Sequence, residues 1–316
     1  MEEKIKLGIS TCLLGEKVRY DGGHKHDPFL TQTLGQYVAY IPVCPEVECG
    51  LGVPRESMRL IGQTGSPRLV TTRSNVDITD QMKNWAEKRL HELEKHQLCG
   101  FIFKADSPSS GMERVRVYDK NNIPVKKGTG IFARMFIEHF PLIPVEDDGR
   151  LHDPILRENF IEQIFTLKRW RDLMKKKWAM GNLVDFHSRN KLLILSHSEK
   201  HYRMMGKLVA DGKKLPVKDL FSLYETHLME ALKLKPSIKK NVNVLQHMMG
   251  YFKTNLSADE KKELLEIINQ YGEGVVPLIV PLTMMNHYVR KYQQPYLGIQ
   301  TYLNPHPIEL KLRNHA

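Results

Sequence analysis

The sequence predicts an α/β domain built on an open, mostly parallel sheet, followed by an all-α domain. In the first half, short apolar runs alternate with helical stretches. From about Pro154 the apolar residues recur only at helical spacing. A length of 316 residues also favours two domains over one core. We place them at residues 1–155 and 156–316.

Residues 4–10 read as a first strand and residues 37–43 as a second. Between them lie a Gly-rich polar loop, Tyr20-Asp-Gly-Gly-His24, and a short helix near residues 28–34. Residues 75–96 form a long amphipathic helix, with Met82, Trp85, Leu90 and Leu93 at helical spacing and Asp77 or Thr79 as N-cap. Residues 100–104 are a third buried strand, 130–140 another helix and 141–145 a last short strand. In the second half, Phe160, Ile161, Ile164, Leu167 and Trp170 form one apolar stripe. Residues 185–208 read as one long helix, followed by helices at 217–234, 239–252 and 257–271. Ser257 with Glu260 fits a capping box. The proline-containing tail from Tyr296 to Pro307 excludes a regular helix there.

Hydrophobic residues make up 41% and charged residues 26%, as in ordinary globular proteins. No apolar run approaches the roughly 20 residues that cross a bilayer, and the acidic start lacks a secretory apolar segment. These features predict a cytoplasmic protein without a membrane partner. Residues 1–160 hold as many acidic as basic side chains, so the net +11 falls entirely in residues 161–316. Such a basic half points to a polyanion, nucleic acid first.

The four cysteines, Cys12, Cys44, Cys49 and Cys99, all lie in the first third. They are too few for a disulfide scaffold. Cys12 follows the first strand, Cys44 the second, and Ser107 the third, in Ser107-Pro-Ser-Ser-Gly111. Ligand sites in open parallel sheets form outside the carboxyl ends of the strands, so these three loops meet at one site. Cys99 begins the third strand, on the order of 15–25 Å from that crevice, and reads as structural. Cys12, Cys44 and Cys49 suit an iron–sulfur cluster with one open iron, a zinc centre with one open position, or three separate buried thiols.

The residues Cys12-Leu-Leu-Gly15 with Val18-Arg-Tyr-Asp-Gly22, Cys44-Pro-Glu46 with Gly50-Leu51 and Pro54-Arg55, and Lys104 with Ser107-Pro-Ser109 resemble the TudS-like thiouracil desulfidases. The resemblance covers approximately residues 4–155 and implies a Rossmann-like sheet. Asp185-Phe-His-Ser-Arg-Asn-Lys-Leu192, His197, His201-Tyr202 and Gln300-Thr-Tyr-Leu-Asn-Pro-His-Pro-Ile-Glu-Leu310 resemble the YbgA-like helical domain. The fusion is similar to the RudS-type desulfidases, which convert 4-thiouridine in tRNA to uridine. The resemblance implies a 4Fe–4S cluster on three cysteines, Glu46 as the acid/base residue, and Ser107 positioning the base or its leaving sulfur. Lys104, Ser109, Ser110, Arg19 and Tyr20 are the implied substrate-binding residues. The family's third cluster cysteine usually stands where this chain has Ser110. Cys49 replaces a usual glycine and is assigned as the third metal ligand; otherwise the cluster is impaired.

For RNA, the candidate contacts are Lys168, Arg169, Arg171 and Lys175 in a basic run that continues to Lys177, with His187, Arg189, Lys191 and His201 on a later helix. His197 and His201 lack a zinc motif's glutamate and third ligand, and read as surface or RNA-facing. Trp170 and Trp178 read as packing residues. His24, His26 and Arg19 flank the Cys12 loop as pocket candidates. The leading expectation is a tRNA 4-thiouridine desulfidase. The alternatives are a desulfidase for free thiouracil or 4-thiouridine monophosphate, and a non-catalytic Fe–S RNA-binding protein.

Overall fold

Buried on both faces, Ile5–Ser10 forms β1 of a computed structural model that describes residues 3–176 and 178–314. The chain divides between Asp153 and Pro154 into two units. The first continues with β2 (Val38–Val43), α1 (Pro45–Glu48), β3 (Met58–Ile61), β4 (Arg68–Thr71) and α2 (Thr79–Glu94). Then come β5 (Gly100–Phe103), β6 (Val115–Tyr118), β7 (Pro124–Gly128), α3 (Ile131–His139) and β8 (Val145–Asp147).

Four parallel strands form one sheet in the order β2-β1-β5-β8. The chain moves outward from β1 to β2, then returns to β1's other side with β5. That reversal leaves a crevice at the carboxyl ends of β1, β2 and β5. Gly8 permits the close fit of β1 and β5, because a Cβ there would lie 2.1 Å from the Phe101 ring. Phe101 stacks on Phe103 with centroids 4.3 Å apart, and both pack against Phe132 and Phe136 of α3 and Leu90 and Leu93 of α2.

A second sheet, in the order β4-β3-β6-β7, was not anticipated from the sequence. Only its β3–β6 pair is parallel. Its Leu60, Leu69, Val115 and Val117 pack on Ile78, Met82 and Ile131. Two expected boundaries also move. α2 begins at Thr79 because the Thr79 hydroxyl is drawn to the sheet, accepting from the Leu69 N–H at 2.8 Å, while Asp77 accepts from the Thr79 N–H at 2.9 Å. The last strand begins at Val145, after Pro141 and Pro144, whose nitrogens carry no hydrogen to donate.

The second unit consists of α4 (Pro154–Met174), α5 (Met180–His197), α6 (Glu199–Ala210), α7 (Val217–Lys233), α8 (Ile238–Met249), α9 (Ala258–Gly272), α10 (Ile279–Lys291) and the short α11 (Pro295–Gly298). Trp170 sits in its core against Tyr224 and Phe186, at centroid distances of 5.1 and 5.2 Å. The helix expected over residues 185–208 is two helices. Ser198 adopts extended backbone (φ −159°, ψ 112°), and its hydroxyl accepts the His201 N–H at 3.3 Å, capping α6. The Ser257/Glu260 capping box is present on α9, whereas α10 was not expected. No helix among the described residues is long and apolar enough to cross a membrane.

Candidate active site

The loops after β1, β2 and β5 enclose a cavity of about 470 Å³. Its lining includes Cys12, Cys44, Glu46, Ser107, Ser110, Lys104, Arg19 and Tyr20. Cys12 lies in a turn of 3₁₀ helix directly after β1, ended by Gly15 at φ 96°. Its carbonyl accepts the Lys25 N–H at 2.9 Å, which folds the polar loop back over the strand end. Cys44 is the N-cap of α1, where Pro45 fits the first turn without an amide hydrogen to satisfy. Its own N–H donates to Glu48 Oε1 at 2.8 Å.

Glu46 is the most constrained carboxylate of the cavity. Ser109, fully buried, donates its hydroxyl to Glu46 Oε1. Oε2 lies 3.5 Å from the Cys44 thiol and 3.8 Å from Arg55 Nη2. Arg55 is itself fixed by Nη1, which donates to the Val18 carbonyl at 3.0 Å. The Ser107 hydroxyl lies 2.9 Å from Ser109 Oγ and accepts the Ser110 N–H at 3.2 Å, closing the loop on itself. Gly130 allows α3 to press on this loop, since a Cβ there would lie 2.5 Å from the Ser109 carbonyl. Lys104 reaches the Asp148 carboxylate at 3.0 Å and the Ala105 carbonyl at 3.0 Å.

Burial pushes the Cys12 thiol up to about 11 and the Cys44 thiol up to about 12, with Glu46 adding to both. Without a cation these sulfurs keep their protons. A metal centre reverses that balance by stabilising thiolate. Two soft donors facing one cavity therefore suit a sulfur-ligated metal centre. Ser110, only 3% exposed, also lies on the lining. Cys49 is not among the lining residues. It ends α1, its thiol donates to the Glu46 carbonyl at 3.3 Å, and it packs against the core of the second sheet.

Other sequence candidates are placed as follows. Cys99 is buried at the amino end of β5, with its N–H on the Lys6 carbonyl at 2.8 Å. His24 and His26 do not line the cavity, whereas Lys25 between them does. His26 is occupied with Thr31 at 2.9 Å. The roles of Arg55 and Asp148 were missed, because each acts through a partner distant in sequence.

Residues 7–148 match the 2-thiouracil desulfurase family, and residues 191–307 match a protein family of unknown function, DUF1722. The uncharacterized protein YbgA of Escherichia coli K12 is 32% identical over 153 residues, 48% of this chain and 90% of YbgA. The uncharacterized protein YbbK of Bacillus subtilis 168 is 32% identical over 108 residues, 33% of this chain and 71% of YbbK. The solved structure of the [4Fe-4S]-dependent thiouracil desulfidase TudS is 30% identical, with a TM-score of 0.39, over 48% of this chain and 95% of TudS. The chain is a 2-thiouracil desulfurase-family domain joined to a YbgA-family domain.

In the YbgA-family domain the expected RNA contacts separate into occupied and available groups. Lys168 pairs with Asp172 at 2.6 Å. Arg169 is turned inward, donating to the Pro305 carbonyl and the Thr166 hydroxyl, each at 2.7 Å. Burial lowers its pKa to about 10. Arg171 is half-buried, and Lys175 is exposed 3.7 Å from Asp172. Lys177 lies outside the described residues. Arg189 pairs with Asp185 at 2.8 Å. His201 is half-buried against Ser198 Oγ at 2.8 Å.

His197, expected at the surface, is fully buried between the Leu234 carbonyl at 2.7 Å and Glu162 at 3.1 Å. Its neighbours are core elements, which sequence spacing does not reveal. His187 and Lys191 line a groove on α5 with Tyr202 and Arg203 of α6. Trp178 stacks on Phe221 at 5.6 Å, as a packing residue.

Proposed function

We propose that this chain replaces the thiocarbonyl sulfur of 4-thiouridine in tRNA with oxygen, releasing sulfide. The observation that carries the reading is the convergence of Cys12, Cys44 and the anchored Glu46 on one cavity of a desulfurase-family domain. When bound, a 4Fe–4S cluster with one open iron supplies a soft Lewis acid for the thiocarbonyl sulfur. Cys12 and Cys44 would hold it. Cys49 offers the softer third donor, although it lies off the cavity lining with its thiol donating to the Glu46 carbonyl. Ser110, which does line the cavity, is the competing donor.

The chain's own residues then handle protons and orientation. Glu46 takes a proton from the attacking water and passes it to the departing sulfur, roles that suit a carboxylate fixed by Ser109 and Arg55. Ser107 offers a hydroxyl to the base. Lys104, held by Asp148, and Arg19 give the cavity positive charge for an anionic substrate. Water supplies oxygen and two protons, sulfur departs as sulfide, and the balance requires no external electrons.

Two further readings have their own support. The cavity is built wholly from the first unit, which favours a free thiouracil or 4-thiouridine monophosphate substrate. Ser110 in the place of a thiol favours a non-catalytic Fe–S RNA-binding protein. Anaerobic reconstitution followed by incubation with bulk tRNA and with free 4-thiouridine monophosphate separates them. Loss of thionucleoside absorbance in tRNA alone supports the proposal. Loss in the free nucleotide alone supports the second reading, and loss in neither removes both enzyme readings.

A further inference from the structure

A groove runs between α5 and α6 of the helical unit. On one side His187, Ser188 and Lys191 form a stripe along α5; on the other stand Tyr202, Arg203 and Gly206 of α6. Together they enclose about 440 Å³, and no carboxylate lines it. Of the acids on these helices, Asp185 pairs with Arg189 at 2.8 Å, and Glu199 forms an exposed pair with the groove's own Arg203. No carboxylate among the described residues pairs with Lys191. Its ammonium instead lies 4.7 Å from the ring centroid of Tyr296, which stacks on Tyr251 at 4.8 Å. Aromatic rings beside Lys191, a cation that no described carboxylate neutralises, match the stacking and phosphate contacts that hold single-stranded nucleic acid. His187 is half-buried, with Nδ1 bound to the Tyr224 hydroxyl at 3.1 Å, so its imidazole offers a fixed polar edge.

We infer that this groove, and not the basic run at the end of α4, grips the RNA. Lys191 and Arg203 contact phosphate, and Tyr202 supplies a stacking face. The inference rests on the tRNA reading above and assigns its binding surface. The α4 run is the weaker candidate because Arg169 is turned inward to the Pro305 carbonyl and Lys168 and Lys175 both lie beside Asp172, whereas no described carboxylate pairs with Lys191.

Gly206 gives a variant that tests the space without threatening the fold. A Cβ at this helical position meets only His187 Nε2, at 3.9 Å, so Gly206→Ala fits and improves helix propensity. Gly206→Glu places a carboxylate in the groove. The experiment measures full-length protein binding to bulk tRNA by fluorescence anisotropy at several salt concentrations. Iron bound per reconstituted chain, which reports the intact first unit, is the second readout.

Lys191→Ala with Arg203→Ala is expected to weaken tRNA binding at least tenfold and to reduce the salt slope by about two phosphate contacts. Gly206→Glu weakens binding similarly, Gly206→Ala matches the parent, and iron content is unchanged throughout. The inference is overturned if the parent binds tRNA and the groove variants bind equally well, or if only Lys175→Ala with Lys176→Ala weakens binding. A parent that does not bind tRNA removes the RNA reading itself, and the groove assignment with it.

Discussion

Ser109 donates its hydroxyl to Oε1 of Glu46, so the loop after β5 sets the orientation of the carboxylate beside Cys44. Glu46→Gln removes the proton acceptor while keeping the shape. Desulfidation of thiolated uridine should fall about 100- to 10,000-fold, with iron content unchanged. Ser109→Ala leaves the acid in place but unanchored, and should cost about tenfold, equivalent to roughly 1.4 kcal/mol of barrier. Steady-state rates on the reconstituted protein check both. Equal losses in the two variants would show that Ser109 does more than orient Glu46.

The cysteines divide by where their thiols face. Cys12→Ala and Cys44→Ala each remove a donor that lines the cavity, and iron and sulfide per chain should fall by about half or more. Cys99→Ala, at the opposite end of β5, should retain the full iron content. The informative pair is Cys49→Ala and Ser110→Ala. A Cys49 ligand predicts iron loss in the first and retention in the second. The reverse pattern would assign the third position to Ser110.

The strands that build the cavity were legible because buried parallel strands leave near-continuous apolar runs, as in Ile5–Ser10. The second sheet was not legible. Met58–Ile61, Arg68–Thr71 and Val115–Tyr118 are four residues each, too short to establish a period. The break at Ser198 was hidden because apolar spacing continues on both sides and the residue is neither glycine nor proline. At the site, chain position placed Cys12, Cys44 and Ser107 correctly at strand ends. It could not give the direction of the Cys49 thiol, which depends on packing against the second sheet. Nor could it show that Arg169 reaches a carbonyl at Pro305, a contact created only by the tertiary fold.

Acid should destabilise the helical unit through two histidines held neutral. Burial, aided by Lys191, lowers the pKa of His187 to about 4, and burial beside Arg313 lowers that of His306 to about 4. Both lie below the usual value of 6.5, so the unfolded chain binds more protons across the interval between. The stabilisation is complete above about pH 6.5 and is lost as the pH falls towards 4. Each histidine contributes at most about 3 kcal/mol. Urea unfolding at about pH 7.5 and 4.5 should show a smaller loss for His187→Asn, which cannot titrate, than for the parent. Parallel losses in the two proteins would exclude His187 as a contributor.

Arg313 ties the tail to α4 through a buried charge network. Its guanidinium reaches Glu162 at 2.7 Å, Glu158 at 3.2 Å and the Tyr302 carbonyl at 2.6 Å. Glu162 is 1% exposed and also bonds His197 at 3.1 Å. Burial and the adjacent Glu162 push the Glu158 carboxyl upward, which favours one retained proton between the two acids while Arg313 neutralises the other charge. Arg313→Met therefore strands a buried carboxylate and should cost about 3–5 kcal/mol. Adding Glu162→Leu removes that stranded charge and should recover part of the loss, because an ion pair replaced as a unit is far less costly than one broken. Denaturant unfolding of the parent, both single variants and the double variant measures the coupling. Simple additivity would mean that Glu162 and Arg313 are energetically independent despite their contact.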